Sequence, residues 1–118
     1  MANTYEHLDI WKKSVVLTGD IYRLTSTFPK SELFGLTSQL RRASVSIPSN
    51  IAEGSSRKSK KDYARFIEIS IGSLNEIESL LFVSHQLDFI DAKTLADYKL
   101  KVNEIGGLLG GFRRYLLK

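Results

Sequence analysis

Apolar residues recur along most of this chain at alternating spacings of three and four positions, which is the period of one face of an α-helix. No segment alternates apolar and polar residues strictly enough to predict a β-strand. The helical pattern is interrupted by three short links, and short links favour antiparallel neighbours. The pattern therefore predicts an all-α fold, an antiparallel up-down-up-down four-helix bundle that forms a single domain over residues 1–118.

Residues that start or stop helices set the predicted boundaries. Pro29 ends the first helix, because the residue before a proline is pushed out of the helical region. Ser59 opens the third helix in a sequence that resembles a capping box, and Asp91 caps the fourth. The predicted helices span about 8–27, 35–54, 59–87 and 91–116. Their predicted core positions are Leu17, Ile21, Leu24 and Phe28; Leu36, Leu40, Ala43, Ile47, Ile51 and Gly54; Tyr63, Ile67, Ser70, Leu74, Ile77, Leu81 and Ser84; and Leu95, Tyr98, Val102, Ile105, Leu109, Phe112 and Leu116.

The second helix contains a proline, Pro48, in its interior. An interior proline costs roughly 3 kcal/mol or more, because it removes a backbone donor and clashes with the preceding turn. We therefore predict a bend in this helix. The carbonyl of Ser44 loses its usual partner, and neighbouring side chains are expected to satisfy the freed groups. Those side chains are Ser46, Ser49 and Asn50.

Two interpretations of the bend remain open. In the structural one, the bend shapes the bundle or its contact with another subunit. Independently of the bend, we predict that Gly54 ends the helix as a left-handed cap. In the functional one, Asn50 and Glu53 form a polar site. A hydrolase needs a base beside its nucleophile. Neither His7 nor His85 lies near the serines of this helix in sequence, so we predict no catalytic residues. The residues assigned to the bend are Pro48, Asn50, Glu53 and Gly54.

Glycines are concentrated in the fourth helix, where each costs roughly 1 kcal/mol relative to alanine. Small residues allow helix backbones to approach closely, so one hypothesis is a tight helix–helix contact within or between subunits. The alternative is that the glycines fray the last two turns. The residues concerned are Gly106, Gly107, Gly110 and Gly111.

Composition narrows the possible function classes. The chain has no cysteine, which excludes disulfides and thiolate metal sites. No pair of residues has the spacing of a helical metal site and no phosphate-binding loop is present, so we expect no metal ion and no cofactor. The start of the sequence lacks a basic segment followed by an apolar run, so we expect no signal peptide, and no apolar stretch approaches the ~18 residues that span a membrane. We expect a cytoplasmic protein without a membrane partner.

Positive charge is concentrated in one part of the chain. The formal net charge is +4, yet residues 41–65 alone hold seven Lys or Arg against two acids. Part of this run lies at the predicted start of the third helix, where backbone donors and the helix dipole favour an anion. A solvated basic loop, partly neutralised by Asp62 and Glu68, is the alternative interpretation. No aromatic residues are interleaved with these charges, so the pattern gives weak support for stacking on single-stranded bases.

Three motifs, taken in order, resemble a known family. They are L-x-I-W-K-K-S with I-Y-x-x-T-x-x-F-P-K-S-E, then G-L-T-S-Q-L-R-R-A-S-V-S-I-P-S-N-I-A-E-G-S-S-R, then R-F-I-E-I-S-I-G-S-L-N-E-I-E. Together they resemble the four-helix-bundle proteins encoded by intervening sequences in bacterial 23S ribosomal RNA genes, some of which are labelled ribosomal proteins. The accessory variability protein of diversity-generating retroelements is a similar bundle.

The resemblance implies a bundle that assembles as a ring, often a pentamer, with no established catalytic activity. The retroelement relatives bind nucleic acid through basic surface residues and act with a reverse transcriptase. The motif arginines correspond to Arg41, Arg42 and Arg57, whereas the glycine-rich fourth helix departs from the family, in which leucine-rich turns are commoner.

The leading hypothesis is a non-catalytic, oligomeric protein that contacts RNA or DNA backbones. The alternative is a structural protein–protein interaction module in which the charge serves solubility. Lys118 is a further candidate for the basic patch. The predicted nucleic-acid-binding residues are Arg41, Arg42, Arg57, Lys58, Lys60, Lys61, Arg65, Arg113 and Arg114.

Overall fold

A computed structural model describes residues 4–118, which form four α-helices and no strand. Residues 1–3 of the predicted domain lie outside the described part of the chain. Short 3-10 turns at Thr4–His7 and Lys30–Glu32 precede the first and second helices. The helices are α1 (Asp9–Thr25), α2 (Leu36–Ser55), α3 (Lys60–Gln86) and α4 (Ala92–Leu116).

Contacts between the helices show that successive helices run antiparallel. Thr18 bonds to Ser44 and Thr25 to Arg41, so α1 and α2 run in opposite directions. The same order reversal holds for the bonds Ser70–Ile47 and Ser73–Ser46 between α3 and α2, and for the contacts Glu68–Arg113 and Phe82–Lys99 between α3 and α4. Between α1 and α4, Lys101 pairs with Asp20 and Glu104 with Lys13, in opposite chain directions. The prediction of an all-α four-helix bundle is confirmed.

The predicted capping residues begin two of the helices. The Ser59 hydroxyl accepts a hydrogen bond from the Asp62 amide at 3.0 Å, and the Asp91 carboxylate accepts one from the Thr94 amide at 2.8 Å. These bonds satisfy amides that have no partner within the first turn of a helix. Asp88 ends α3 with a positive φ of 62°, and the amides of Asp88 and Phe89 donate to the carbonyls of His85 and Ser84. This is the Schellman arrangement, in which an aspartate occupies the position that glycine usually takes.

The core is formed by the apolar stripes that the sequence predicts. Every predicted core position in α2 is buried, and so is every one in α3 except Tyr63, which is half-buried. Buried serines interrupt the aliphatic side chains, and each donates a hydrogen bond to a backbone carbonyl, as burial of a hydroxyl requires. The Ser70 hydroxyl, for example, reaches from α3 to the carbonyl of Ile47 at 2.9 Å. The buried serines are Ser14, Ser44, Ser70 and Ser84.

Helix α2 continues without interruption through Pro48. The carbonyl of Ser44, which the proline deprives of its usual donor, lies 2.9 Å from the Thr18 hydroxyl of α1, whose single proton is shared with the carbonyl of Ser14 at 3.0 Å. The expectation that polar neighbours in α2 satisfy this group is therefore wrong, because the donor comes from another helix. The Asn50 side chain instead donates to the carbonyl and hydroxyl of Ser46, at 2.8 and 3.0 Å.

Gly54 lies inside α2 and does not adopt a positive φ, so its predicted role as a left-handed cap is wrong. A Cβ at this position would lie 2.6 Å from Cδ1 of Tyr63 and 2.9 Å from Cβ of Phe66. Glycine is required here because two side chains of α3 pack directly on the α2 backbone. The close approach fixes the first turns of α3 against the end of α2.

The glycines of α4 lie within an unbroken helix, so the predicted fraying is not seen. A Cβ at Gly107 would meet nothing within 4 Å, and a Cβ at Gly110 or Gly111 would meet only the Arg114 side chain. At Gly106 a Cβ would be in ordinary contact with Leu74, at 3.5 Å. Within residues 4–118 these four positions therefore make no tight helix–helix contact, and the intersubunit form of the hypothesis stays a prediction.

Candidate nucleic-acid interface

Most of the predicted basic residues lie at one end of the bundle. This end contains the turn between α2 and α3 and the C-terminal turns of α4, which run antiparallel to α3. The two segments are in contact, because the Arg113 guanidinium donates through Nε and Nη2 to Oε2 of Glu68, at 3.0 and 2.9 Å. We call this region the basic end, and its cations are Arg57, Lys58, Lys60, Lys61, Arg65, Arg113, Arg114 and Lys118.

Aromatic side chains position two of these cations. The guanidinium of Arg57 lies 4.6 Å from the ring centre of Phe66 and pairs with Glu53 one turn earlier. The ammonium of Lys60 lies 5.0 Å from the ring centre of Tyr115, across the α3–α4 contact. Such cation–π contacts hold the charges near the surface of the bundle and leave them accessible to solvent.

The rings beneath the basic end form the contact between α3 and α4. Tyr63 and Phe112 meet edge to face with ring centres 5.2 Å apart, and Phe112 stacks on Tyr115 at 6.1 Å. The Tyr63 hydroxyl is buried without a hydrogen-bond partner in the described chain, and burial raises the pKa of this phenol. This aromatic layer holds the ends of α3 and α4 together, so the cations of both helices share one surface.

Several cations of the basic end are free of ion pairs. Within residues 4–118, three side chains of this end pair with acids: Arg57 with Glu53, Arg65 with Asp62 at 3.8 Å, and Arg113 with Glu68. Exposed pairs of this kind are weak, so they neutralise the surface only in part. The cations for which the described chain shows no ion pair are Lys58, Lys60, Lys61, Arg114 and Lys118.

The whole net charge of the protein is located at the basic end. Segments 53–68 and 113–118 contain eight Lys or Arg against three acids, an excess of five, whereas the rest of the chain has nine against ten. The start of α1 lies at the same end and does not change this balance, since Lys12 and Lys13 are offset by Glu6 and Asp9. The basic end is therefore the most positive surface of the molecule.

The structure separates Arg41 and Arg42 from this surface. They lie near the start of α2, roughly 20 Å along the helix from its basic end at 1.5 Å per residue. Arg41 is half-buried, donates to the Thr25 hydroxyl at 2.9 Å, and stacks over the Tyr22 ring at 4.7 Å. Its contacts join α2 to α1. Arg42 is exposed and forms no ion pair within residues 4–118.

The residues assigned to the α2 bend have separate partners. Asn50 is half-buried and bonds to Ser46, while Glu53 is exposed and pairs with Arg57. Their side chains therefore do not converge on one site. No three acidic or histidine side chains of residues 4–118 are grouped as metal ligands would be. None of the four described helices combines the length and apolarity needed to cross a bilayer.

A polar groove between α2 and α3 was not predicted from the sequence. It contains Arg42 and Glu76, and its volume is about 360 Å³. The signal is present in the sequence, because the α2 residues of the groove are spaced at three or four positions and so share one face beside the core stripe. The lining residues are Gln39, Arg42, Ala43, Ser46, Ser73 and Glu76.

The fold and the charge distribution define a class of small all-α proteins, four-helix bundles with one basic end. Within that class, the chain belongs to the family described as 23S rRNA-intervening sequence protein, whose model matches residues 6–111. The resemblance of the sequence motifs to this family is therefore confirmed.

Among the solved structures with a similar fold is that of a protein of unknown function from the S23 ribosomal protein family of Bacteroides thetaiotaomicron. The match has a TM-score of 0.82 at 23% identity and covers 89% of this chain and 95% of the other. At this identity the likeness concerns the fold alone. A comparison with curated proteins gives no match.

Proposed function

We propose that this protein is a non-catalytic, cytoplasmic nucleic-acid-associated bundle that binds RNA or DNA backbones through its basic end. The observation that carries the proposal is the location of the whole net charge on one surface formed by α3 and α4. Phosphates carry the charge that such a surface attracts, and the N-terminus of α3 adds backbone dipoles of the favourable sign. The resemblance to the retroelement relatives, which bind nucleic acid through basic surface residues, supports the same kind of partner.

The proposal assigns different roles to the predicted binding residues. Lys58, Lys61 and Arg114 are the principal contacts, because each is exposed and free of ion pairs within the described chain. Lys60 and Lys118 lie beside them, and the cations that pair with acids contribute less until the ligand displaces the acid. Arg41 is assigned to the α1–α2 contact and Arg42 to the polar groove.

Filter binding over a salt series tests the proposal. The variant Lys58→Gln, Lys61→Gln and Arg114→Gln should lower the slope of log K against log salt by about 2 to 3, because each phosphate contact contributes roughly 0.7 to 0.9 to the slope. The matched control Arg23→Gln, Lys30→Gln and Lys93→Gln removes the same charge at the opposite end and should leave the slope unchanged. Absence of binding to RNA and duplex DNA at ~50 mM salt would refute the proposal.

Exposed apolar side chains support a second candidate function, self-association as a structural module. Phe34 is 93% exposed, Leu100 70% and Val16 61%, and large exposed apolar patches commonly mark protein contacts. Several aromatic side chains outside the core stripe are instead partly covered by cations, such as Phe82 beneath Lys99. In this second proposal the subunits assemble into a ring. The family resemblance implies that the ring is a pentamer. The family resemblance also implies a reverse transcriptase as partner, and a binding experiment with the two purified proteins tests this part of the proposal.

A further inference from the structure

The polar groove between α2 and α3 presents two opposite charges that do not meet. Arg42 on α2 and Glu76 on α3 both line it and are exposed, yet neither forms an ion pair within 4.0 Å in residues 4–118. Because the two formal charges cancel, the groove is not a phosphate site like the basic end. Its chemistry suits a neutral, planar ligand with adjacent acceptors on one edge and adjacent donors on another.

The base of the groove is held in place by hydrogen bonds between the two helices. The Ser46 hydroxyl accepts from the Ser73 hydroxyl at 2.8 Å and from the Asn50 amide at 3.0 Å. Ala43 adds a small, buried apolar surface beside these hydroxyls. The groove therefore exists before any ligand binds.

We infer that this groove binds an unpaired guanine base, with Arg42 on the O6 and N7 acceptors and Glu76 on the N1 and N2 donors. Guanine is the nucleobase that carries both an adjacent acceptor pair, which arginine recognises through two hydrogen bonds, and an adjacent donor pair, which a carboxylate can accept. A volume of about 360 Å³ accommodates one base. Bases are read on these edges when they are unpaired, as in RNA loops and single strands.

This inference rests on the proposed nucleic-acid association and adds sequence preference to it. The basic end supplies affinity for phosphates of any sequence, while the groove, roughly 20 Å away along α2, selects a base. A strand that spans both sites must be several nucleotides long. The free nucleotide, RNA and DNA present the same base edge, so the experiment includes all three sources.

Short oligonucleotides with single-atom changes test the inference. The pentamers UUGUU and UUAUU differ in the central base. Inosine in place of guanosine removes the N2 amino group, and 7-deazaguanosine removes the N7 acceptor. We expect UUGUU to bind about ten-fold or more tightly than UUAUU, with the two altered guanosines in between, since a good bidentate pair discriminates bases by this amount or more.

Two conservative variants connect each base atom to one side chain. Arg42→Lys keeps the charge but loses the two-pronged donor geometry, so it should bind guanosine and 7-deazaguanosine equally. Glu76→Gln keeps the shape but loses the acceptor pair, so it should bind guanosine and inosine equally. Ser79→Gln on the exposed surface of α3 is the control, and it should keep both differences.

The outcomes separate this inference from the proposed function. Equal, salt-dependent affinity for all pentamers would overturn the guanine site and leave backbone binding intact. If no pentamer binds, the salt series with longer RNA and duplex DNA decides the proposed function, and an NMR titration with guanosine or adenosine monophosphate decides the groove alone. Amide shifts at Gln39 and Ser73 with the guanosine form only would support the site, and their absence would overturn it. A deoxy form of UUGUU distinguishes RNA from DNA as the source of the base.

Discussion

Gly54 illustrates how a single missing side chain positions two helices. The Tyr63 ring and the Phe66 side chain lie where a Cβ of residue 54 would be. Neither the family motif nor the helical period identifies this contact, because both partners come from the next helix. From the sequence we predict that Gly54 ends α2. In the structure it lies inside α2 and allows α3 to pack against the α2 backbone.

The two kinds of glycine lead to a matched prediction. Gly54→Ala should lower the free energy of unfolding by about 1 to 3 kcal/mol, because it overpacks a close contact. Gly107→Ala should raise it by roughly 1 kcal/mol, since a Cβ there has no side chain or other helix of the described chain within 4 Å and alanine favours the helix. Urea denaturation of the two variants measures both changes. A loss of stability in Gly107→Ala, with altered assembly, would instead support an intersubunit contact at this glycine.

At the scale of helices, the proline of α2 is accommodated by α1. Thr18 lies one helix away from Pro48 and donates its hydroxyl to the carbonyl of Ser44. The sequence shows that this carbonyl is freed, since the proline lacks the amide that would bond it. It does not show which residue replaces the amide, because the donor is 26 positions away along the chain.

A double-mutant cycle tests this compensation between helices. Thr18→Val should cost about 1 to 2 kcal/mol, because it leaves the Ser44 carbonyl without its side-chain donor. Pro48→Ala should stabilise the protein, since it restores an intrahelical amide donor to the same carbonyl. In the Pro48→Ala background the cost of Thr18→Val should therefore be much smaller. Equal costs in both backgrounds, measured by urea denaturation, would contradict this assignment.

The contact between α1 and α4 depends on charge. Burial opposes ionisation of Asp20, but hydrogen bonds and charges from Lys101 and Arg23 outweigh it and hold the pKa of this carboxyl below its ordinary value. Tyr98 adds a hydrogen bond from its hydroxyl to the Asp20 carbonyl at 3.0 Å. The ionised carboxylate is therefore favoured in the folded protein, and α1 and α4 are joined more strongly when it is charged.

Acidification should weaken this contact. A carboxyl whose pKa is lowered by folding stabilises the protein above its unfolded-state pKa of about 3.9, and this stabilisation is lost as the pH falls through the lower folded-state value. The stability difference between the wild type and Asp20→Asn should be larger at pH 7 than at pH 2.5. Urea denaturation at both pH values measures it, with Asp97→Asn as the control on an exposed pair within α4. A difference independent of pH would contradict the role of the carboxylate.

At the scale of the whole molecule, the sequence predicts the architecture better than the surfaces. The core stripes of α2 and α3 follow from helical periodicity, and burial of Ile47, Ile67 and Leu81 agrees with it. The basic patch was predicted as one set of residues because Arg42 and Arg57 are close in sequence. About 20 Å of α2 separates Arg42 from the basic end. Arg113 and Arg114 reach the basic end because α4 runs antiparallel to α3.

Aliphatic side chains on α1 and α4 are exposed to solvent and are candidates for contacts between subunits. Leu100 is 70% exposed and Val16 61%, and burying such side chains between copies would remove apolar area from water. If the proposed self-association buries Leu100, Leu100→Lys should lower the solution mass towards the 13.3 kDa of one chain. Ser79→Lys adds the same charge to the exposed surface of α3 and should leave the mass unchanged.

Multi-angle light scattering at micromolar concentration distinguishes the outcomes. A wild-type mass that is a multiple of 13.3 kDa, lost in Leu100→Lys, would locate the contact on α4. A wild-type mass of one chain would refute self-association, and the basic end would then have to bind nucleic acid as a single copy. In that case the slope of log K against log salt should correspond to only a few phosphates, whereas a ring that presents several basic ends to one strand would give a much steeper slope.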